Sequence, residues 1–92
     1  MTAKAVKARI KGRVQGVCFR ARTCEEATAK GLAGWVRNCA DGTVEAVFAG
    51  LAAAVDAMLA QCQIGPPAAR VHEVETRAVE PVPAFHDFEI RY

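Results

Sequence analysis

No Cys-x-x-Cys pair occurs among the four cysteines, at positions 18, 24, 39 and 62. Their spacing matches neither a zinc site nor the framework of a small disulfide scaffold, so they read as reduced thiols used mainly for packing. No block of like charges occurs either, and the net charge is only +2. That is too little to imply a nucleic-acid or anionic-membrane partner. No apolar run is long enough to cross a bilayer. The start, Met1-Thr2-Ala3-Lys4-Ala5-Val6-Lys7, lacks the hydrophobic region of a signal segment, which makes the cytoplasm the default compartment. What is present is an ample apolar share, 52% of 92 residues, so disorder is excluded and one domain over residues 1–92 with a single core is expected.

Periodicity divides the chain. Val6, Ala8 and Ile10 alternate with Lys7, Arg9 and Lys11, a strand with one face buried and one wet. Thr23-Cys24-Glu25-Glu26 has the spacing of a capping box, with Thr23 as N-cap. A helix is expected from there, or two or three residues earlier, to Lys30, with Gly31 ending it. Gly34 to Asn38 reads as a second strand and Asp41-Gly42 as a hairpin turn. Thr43 to Phe48 is the returning strand, with Val44, Ala46 and Phe48 on one side. Glu45 and Val47 then fall on the wet side, Glu45 facing a basic residue of the first strand. Leu51, Val55, Met58, Leu59 and Cys62 form one helical stripe, stopped by Gly65-Pro66-Pro67. A strand over about Arg70 to Val79 slips its alternation between Val71 and Val74, as a bulge would make it do. After a corner at Pro81 and Pro83, Phe88, Ile90 and Tyr92 alternate in a short last strand.

The order β-α-β-β-α-β with an appended strand predicts an α+β chain of the ferredoxin-like, split β-α-β kind. Two helices cover one face of a mainly antiparallel sheet of order 4-1-3-2, and the position of the short fifth strand stays open. In this arrangement the first two strands are parallel, joined by a right-handed crossover through the first helix. Their C-terminal ends and the N-terminus of that helix therefore share one edge of the sheet.

The stretch Gly12-Arg13-Val14-Gln15-Gly16-Val17-Cys18-Phe19-Arg20 lies at that edge. Its glycines let the backbone take positive φ and turn successive N–H groups into one hollow. The helix behind it contributes free N–H groups and the positive end of its dipole, and Arg20 contributes a full charge. Such a set fits a phosphate-sized dianion. Spacing alone fits an ordinary strand-to-helix turn as well. It is neither a dinucleotide fingerprint nor a P-loop, because no Lys-Ser/Thr pair follows the second glycine. Asn38 ends the second strand two strand spacings away, roughly 10 Å, near enough to reach the same anion directly or through one water. Taken by itself, Asn38 is equally an ordinary residue before a turn.

The segment 12–20 with Thr23 resembles the first signature of the acylphosphatases. Gly34-Trp35-Val36-Arg37-Asn38 with Asp41-Gly42-Thr43-Val44-Glu45 resembles the second. Gly65-Pro66-Pro67-Ala68-Ala69-Arg70-Val71 and the ending Phe88-Glu89-Ile90-Arg91-Tyr92 are similar to family members too, so the likeness spans nearly the whole chain. The resemblance implies hydrolysis of the carboxyl–phosphate bond of an acyl phosphate, giving a carboxylate and inorganic phosphate, with no metal or other cofactor. It implies that Arg20 binds the phosphoryl group and that Asn38 positions the attacking water. The backbone N–H groups of Gln15, Gly16, Val17, Cys18 and Phe19 would cradle the phosphoryl oxygens. The expected partner is a small-molecule substrate, bound by a monomer without nucleic acid or membrane. RNA binding on the same scaffold places aromatics on the exposed face of strands one and three. Here Lys7, Arg9, Lys11, Glu45 and Val47 take those positions. His72 and His86 lie far from both signatures and read as surface or strand-end residues.

Overall fold

The computed structural model describes residues 2–92. The elements run β1 (Ala3–Arg13), α1 (Phe19–Ala29), β2 (Ala33–Asn38), β3 (Val44–Leu51), α2 (Ala52–Ile64), β4 (Arg70–Ala78) and β5 (Phe88–Arg91). They form one sheet of order β4-β1-β3-β2-β5. β1 and β2 both pair antiparallel with β3 and are thus parallel to each other, and β4 pairs antiparallel with β1. The 4-1-3-2 arrangement expected from periodicity is present. The fifth strand joins the outer edge of β2 in parallel, which makes the sheet mixed.

The core lies between one sheet face and the two helices. Val6, Ala8 and Ile10 of β1 and Val44, Ala46 and Phe48 of β3 meet Phe19 and Ala27 of α1 and Val55, Met58 and Cys62 of α2. Phe88 anchors the four-residue β5 by stacking on Phe48 at 5.5 Å between ring centroids. The alternation slip in β4 is a bulge: Lys11 faces Glu73 and Gly12 faces Val71, leaving exposed His72 unpaired between them. His86 is exposed as well.

Several local expectations are corrected. α1 begins at Phe19, and Thr23 is buried inside it rather than capping it. The capping-box spacing misleads because Glu26 points forward to Lys30 and sideways to Arg22, not back to the backbone. Gly12 and Arg13 belong to β1, so the turn shortens to residues 14–18. Leu51 ends β3 and is half exposed, outside the buried stripe of α2. Tyr92 lies one residue beyond β5 and is fully exposed. Val47 and Glu45, expected on a wet face, are buried. β3 is the central strand, so long neighbouring side chains can cover it from both sides.

The end of α1 follows the glycine expectation in detail. Gly31, at φ +72°, lets Leu32 N–H reach Ala27 O and its own N–H reach Thr28 O, the paired bonds of a Schellman closure. Gly34 has a harder requirement. Its φ is +135°, and a Cβ there would sit 1.8 Å from the Val47 carbonyl oxygen. Gly34→Ala must therefore push β2 off β3. It is expected to destabilise the protein by about 3 kcal/mol or more, read as a lowered urea midpoint, because both backbone strain and ladder disruption contribute.

Candidate active site

The loop between β1 and α1 is anchored by two buried side chains, Val14 and Val17. Between and after them the backbone turns left-handed twice, at Gly16 (φ +74°) and at Cys18 (φ +64°). A Cβ at Gly16 would meet nothing within 4 Å, so glycine is required there for its φ and not for space. Cys18 has no such freedom and holds its left-handed geometry at a cost of about 1–2 kcal/mol. That geometry makes Cys18 the N-cap residue of α1, yet no side chain caps the helix and its first turn holds no acidic residue. The first N–H groups of α1 are therefore free to serve a bound anion.

Arg20 stands in that same first turn. A cation at the positive end of a helix is disfavoured by about 0.3–1 kcal/mol, so its placement serves something other than the helix. Among the described residues it makes no ion pair. Its guanidinium lies 5.0 Å from the centre of the Tyr92 ring, a contact that orients the charge without neutralising it. The register pairing Arg37 with Arg91 carries Tyr92 alongside Asn38 at the end of β2.

A cavity of about 180 Å³ is lined by Gly16, Cys18, Phe19, Arg20, Asn38 and Tyr92, with Val14, Ala21 and Ile90 completing it. The two residues singled out on sequence grounds, Arg20 and Asn38, thus share one hollow at the sheet edge. The Oδ1 atom of Asn38 is buried and, among the described residues, accepts no hydrogen bond. Buried side-chain acceptors ordinarily have a hydrogen-bond partner, and this one finds none among the described residues. Gln15 and Val17 belong to the loop but do not line the cavity.

The side chain of Gln15 does something its sequence position did not announce. Its Nε2 donates to Cys39 O at 2.7 Å and to Thr43 O at 2.9 Å, tying the loop to the β2–β3 hairpin that carries Asn38. The hairpin is closed by Cys39 N–H donating to Thr43 O at 2.8 Å. Asp41 accepts from both the N–H and the hydroxyl of Thr43, at 3.0 and 2.6 Å. Those bonds hold the Asp41 carboxyl below the usual carboxylate range. Tyr92 and Ile90 were also not singled out as site residues. Their alternation with Phe88 was visible, but only the pairing of β5 with β2 brings them to the site.

The opposite face of the sheet is charged. Arg37 bonds to Glu45 and holds that carboxyl below its ordinary value, with the Lys7 charge acting in the same direction and burial opposing. Lys30 does the same for Glu26, and Lys11 for Glu75. A carboxylate whose folded pKa is depressed adds stability above its unfolded pKa, and that stability is lost as pH falls through the folded value. Asp41, Glu26, Glu45 and Glu75 all shift this way, so stability is expected to decline as pH drops below about 4.5. Glu45→Gln should flatten part of that decline in a series of denaturation midpoints. Cys62 is a different case: burial pushes its thiol up to about 12, which leaves it inert.

The chain is similar to known proteins along nearly its whole length. The acylphosphatase family model matches residues 6–90. An acylphosphatase from Rhodospirillum rubrum is 57% identical over 76 residues, covering 83% of this chain and 84% of its own. One from Anaeromyxobacter dehalogenans is 50% identical over 92 residues, covering 98% and 99%. The crystal structure of acylphosphatase from Bacillus subtilis superposes with a TM-score of 0.94 at 32% identity, covering 97% of this chain and 99% of its own. A family match over residues 6–90, on this fold and with relatives this similar along nearly the full length, leads to one conclusion: the chain belongs to the acylphosphatase family and hydrolyses acyl phosphates to a carboxylate and inorganic phosphate.

Proposed function

We propose that Arg20 and the backbone N–H groups from Gln15 to Phe19 bind the phosphoryl group, and that Asn38 holds the attacking water. The observation that carries this reading is the shared cavity. It joins a guanidinium, a helix N-terminus and a carboxamide oxygen that, among the described residues, have no ion-pair, capping or hydrogen-bond partner respectively. The carboxamide oxygen accepts a hydrogen bond from the water, which turns a lone pair of the water toward phosphorus. The new P–O bond forms as the bond between phosphorus and the acyl oxygen breaks. The carboxylate leaves with the bonding electron pair. Being a stable anion, it needs no general acid. Phosphoryl transfer asks mainly for position and charge stabilisation, and the cradle supplies both. An amide is too weak a base to take the water's proton, so the proton passes to a phosphoryl oxygen of the substrate.

The reaction so drawn uses no metal. Among the described residues no three His, Cys, Asp or Glu side chains gather as a metal site. Turnover of benzoyl phosphate is expected to be the same with and without a strong chelator, and inorganic phosphate should inhibit competitively in both. Loss of activity on chelation would overturn the metal-free reading. The protein acts as a cytoplasmic monomer on a small substrate, without membrane or nucleic acid. No helix among the described residues is long and apolar enough to cross a membrane. The outer face of β1 and β3 also presents ion pairs in place of base-stacking aromatics. Turnover compared across a panel of small acyl phosphates would identify the preferred acyl group.

A further inference from the structure

One buried carboxylate takes no part in the reaction above. Glu45 sits near the start of β3 on the face away from the helices, directly between Arg9 of β1 and Arg37 of β2 in the strand register. Arg37 donates to its Oε1 from Nε at 3.2 Å and from Nη2 at 2.7 Å. Lys7 Nζ and Arg9 Nη2 stand 3.7 and 3.8 Å from its Oε2. The Cys39 thiol lies beside it as well and helps to keep it charged. A charge buried this way adds little net stability over a well-packed apolar residue, so its placement calls for another account.

That account lies in which residues it holds. Arg37 and Cys39 are the two neighbours of Asn38 in the chain, and their side chains turn toward Glu45. Strand alternation sends Asn38 the other way, into the cavity with Arg20. Asn38 is thus flanked on both sides by residues that meet one carboxylate. That carboxylate also meets Lys7 and Arg9 on β1, the strand that runs into the phosphate loop. Gln15 binds the Cys39 carbonyl from the loop side. We propose that Glu45 is a positioning residue for the hydrolysis: it fixes the end of β2 against β1 and so keeps the Asn38 carboxamide aimed at the water that attacks phosphorus. This rests on the water-holding role given to Asn38 above.

Glu45→Gln keeps the shape of the side chain and removes its charge. Small misplacements of a positioned group cost up to about a hundredfold in rate, so kcat on benzoyl phosphate is expected to fall about tenfold. KM and the inhibition constant of inorganic phosphate should stay within about twofold, since the cradle and Arg20 are untouched. Arg37→Gln, at a half-exposed side chain, is expected to lower kcat in the same way and serves if the Glu45 variant does not fold. In an Asn38→Ala background Glu45→Gln should add no further loss, because both changes remove the same function. An unchanged kcat in Glu45→Gln, or in Arg37→Gln where the first variant does not fold, would overturn the proposal even if the melting temperature falls. So would a loss that multiplies fully with that of Asn38→Ala. If Asn38→Ala itself keeps full turnover, the water-holding reading fails and the proposal with it; if only the Glu45 and Arg37 variants keep it, the positioning role alone fails.

Discussion

Arg20→Ala is expected to leave a folded protein that hydrolyses benzoyl phosphate at least about a hundredfold more slowly, the loss typical of removing one preorganised donor from a developing charge. Its affinity for inorganic phosphate should fall as well, because a guanidinium makes charge-assisted bonds to bound phosphate before and during the reaction. KM and kcat should therefore both worsen. The fold has little to lose. Arg20 makes no ion pair among the described residues, and its guanidinium packs against the exposed ring of Tyr92. Removing a cation from the first turn of α1 returns about 0.3–1 kcal/mol to the helix, which offsets that contact. Unchanged stability with collapsed turnover is the signature of a residue kept for chemistry. Arg20→Lys should recover only part of the rate, since an ammonium cannot present two parallel donors to two phosphoryl oxygens. Full activity in Arg20→Ala would refute its assignment to the phosphoryl group.

The signals that were local and repeated could be read from the sequence. The alternation of Val6, Ala8 and Ile10, the Asp41-Gly42 turn and the Gly31 closure each encode one backbone geometry within a few residues, and each is found in the fold. Their order was enough to bring the ends of β1 and β2 to one edge, and so to bring Arg20 and Asn38 together. What escaped depends on contacts distant in sequence. Nothing near Phe88 states that it stacks on Phe48, and without that contact β5 has no address. Tyr92 and Ile90 therefore could not be assigned to the site. The side-chain role of Gln15 depends on carbonyls 24 and 28 residues away. Thr23 misled for the opposite reason. Its capping pattern is local and valid, but the buried ring of Phe19 draws the helix start one turn earlier.

Asn38→Ala separates binding from chemistry. The cradle and Arg20 remain, so KM and the inhibition constant of inorganic phosphate are expected to change by less than about threefold, as for a group that acts only on the attacking water. The value of kcat should fall by about two orders of magnitude, the usual cost of losing a positioned reactant. Asn38→Asp is a sharper variant. It offers a stronger base at the same place, but it sets a carboxylate beside a phosphoryl dianion, and like charges at that range repel strongly in a partly buried site. Its KM should rise well above that of Asn38→Ala, which contains no charge. Stability should hold while activity falls. Among the described residues Oδ1 of Asn38 makes no hydrogen bond that Asn38→Ala would break, so stability is expected to stay within about 1 kcal/mol, read from the urea midpoint. A variant as stable as the parent and nearly inactive would mean that the chain keeps Asn38 at the end of β2 because the water it orients belongs to the reaction. A variant less stable and fully active would assign Asn38 to the hairpin instead.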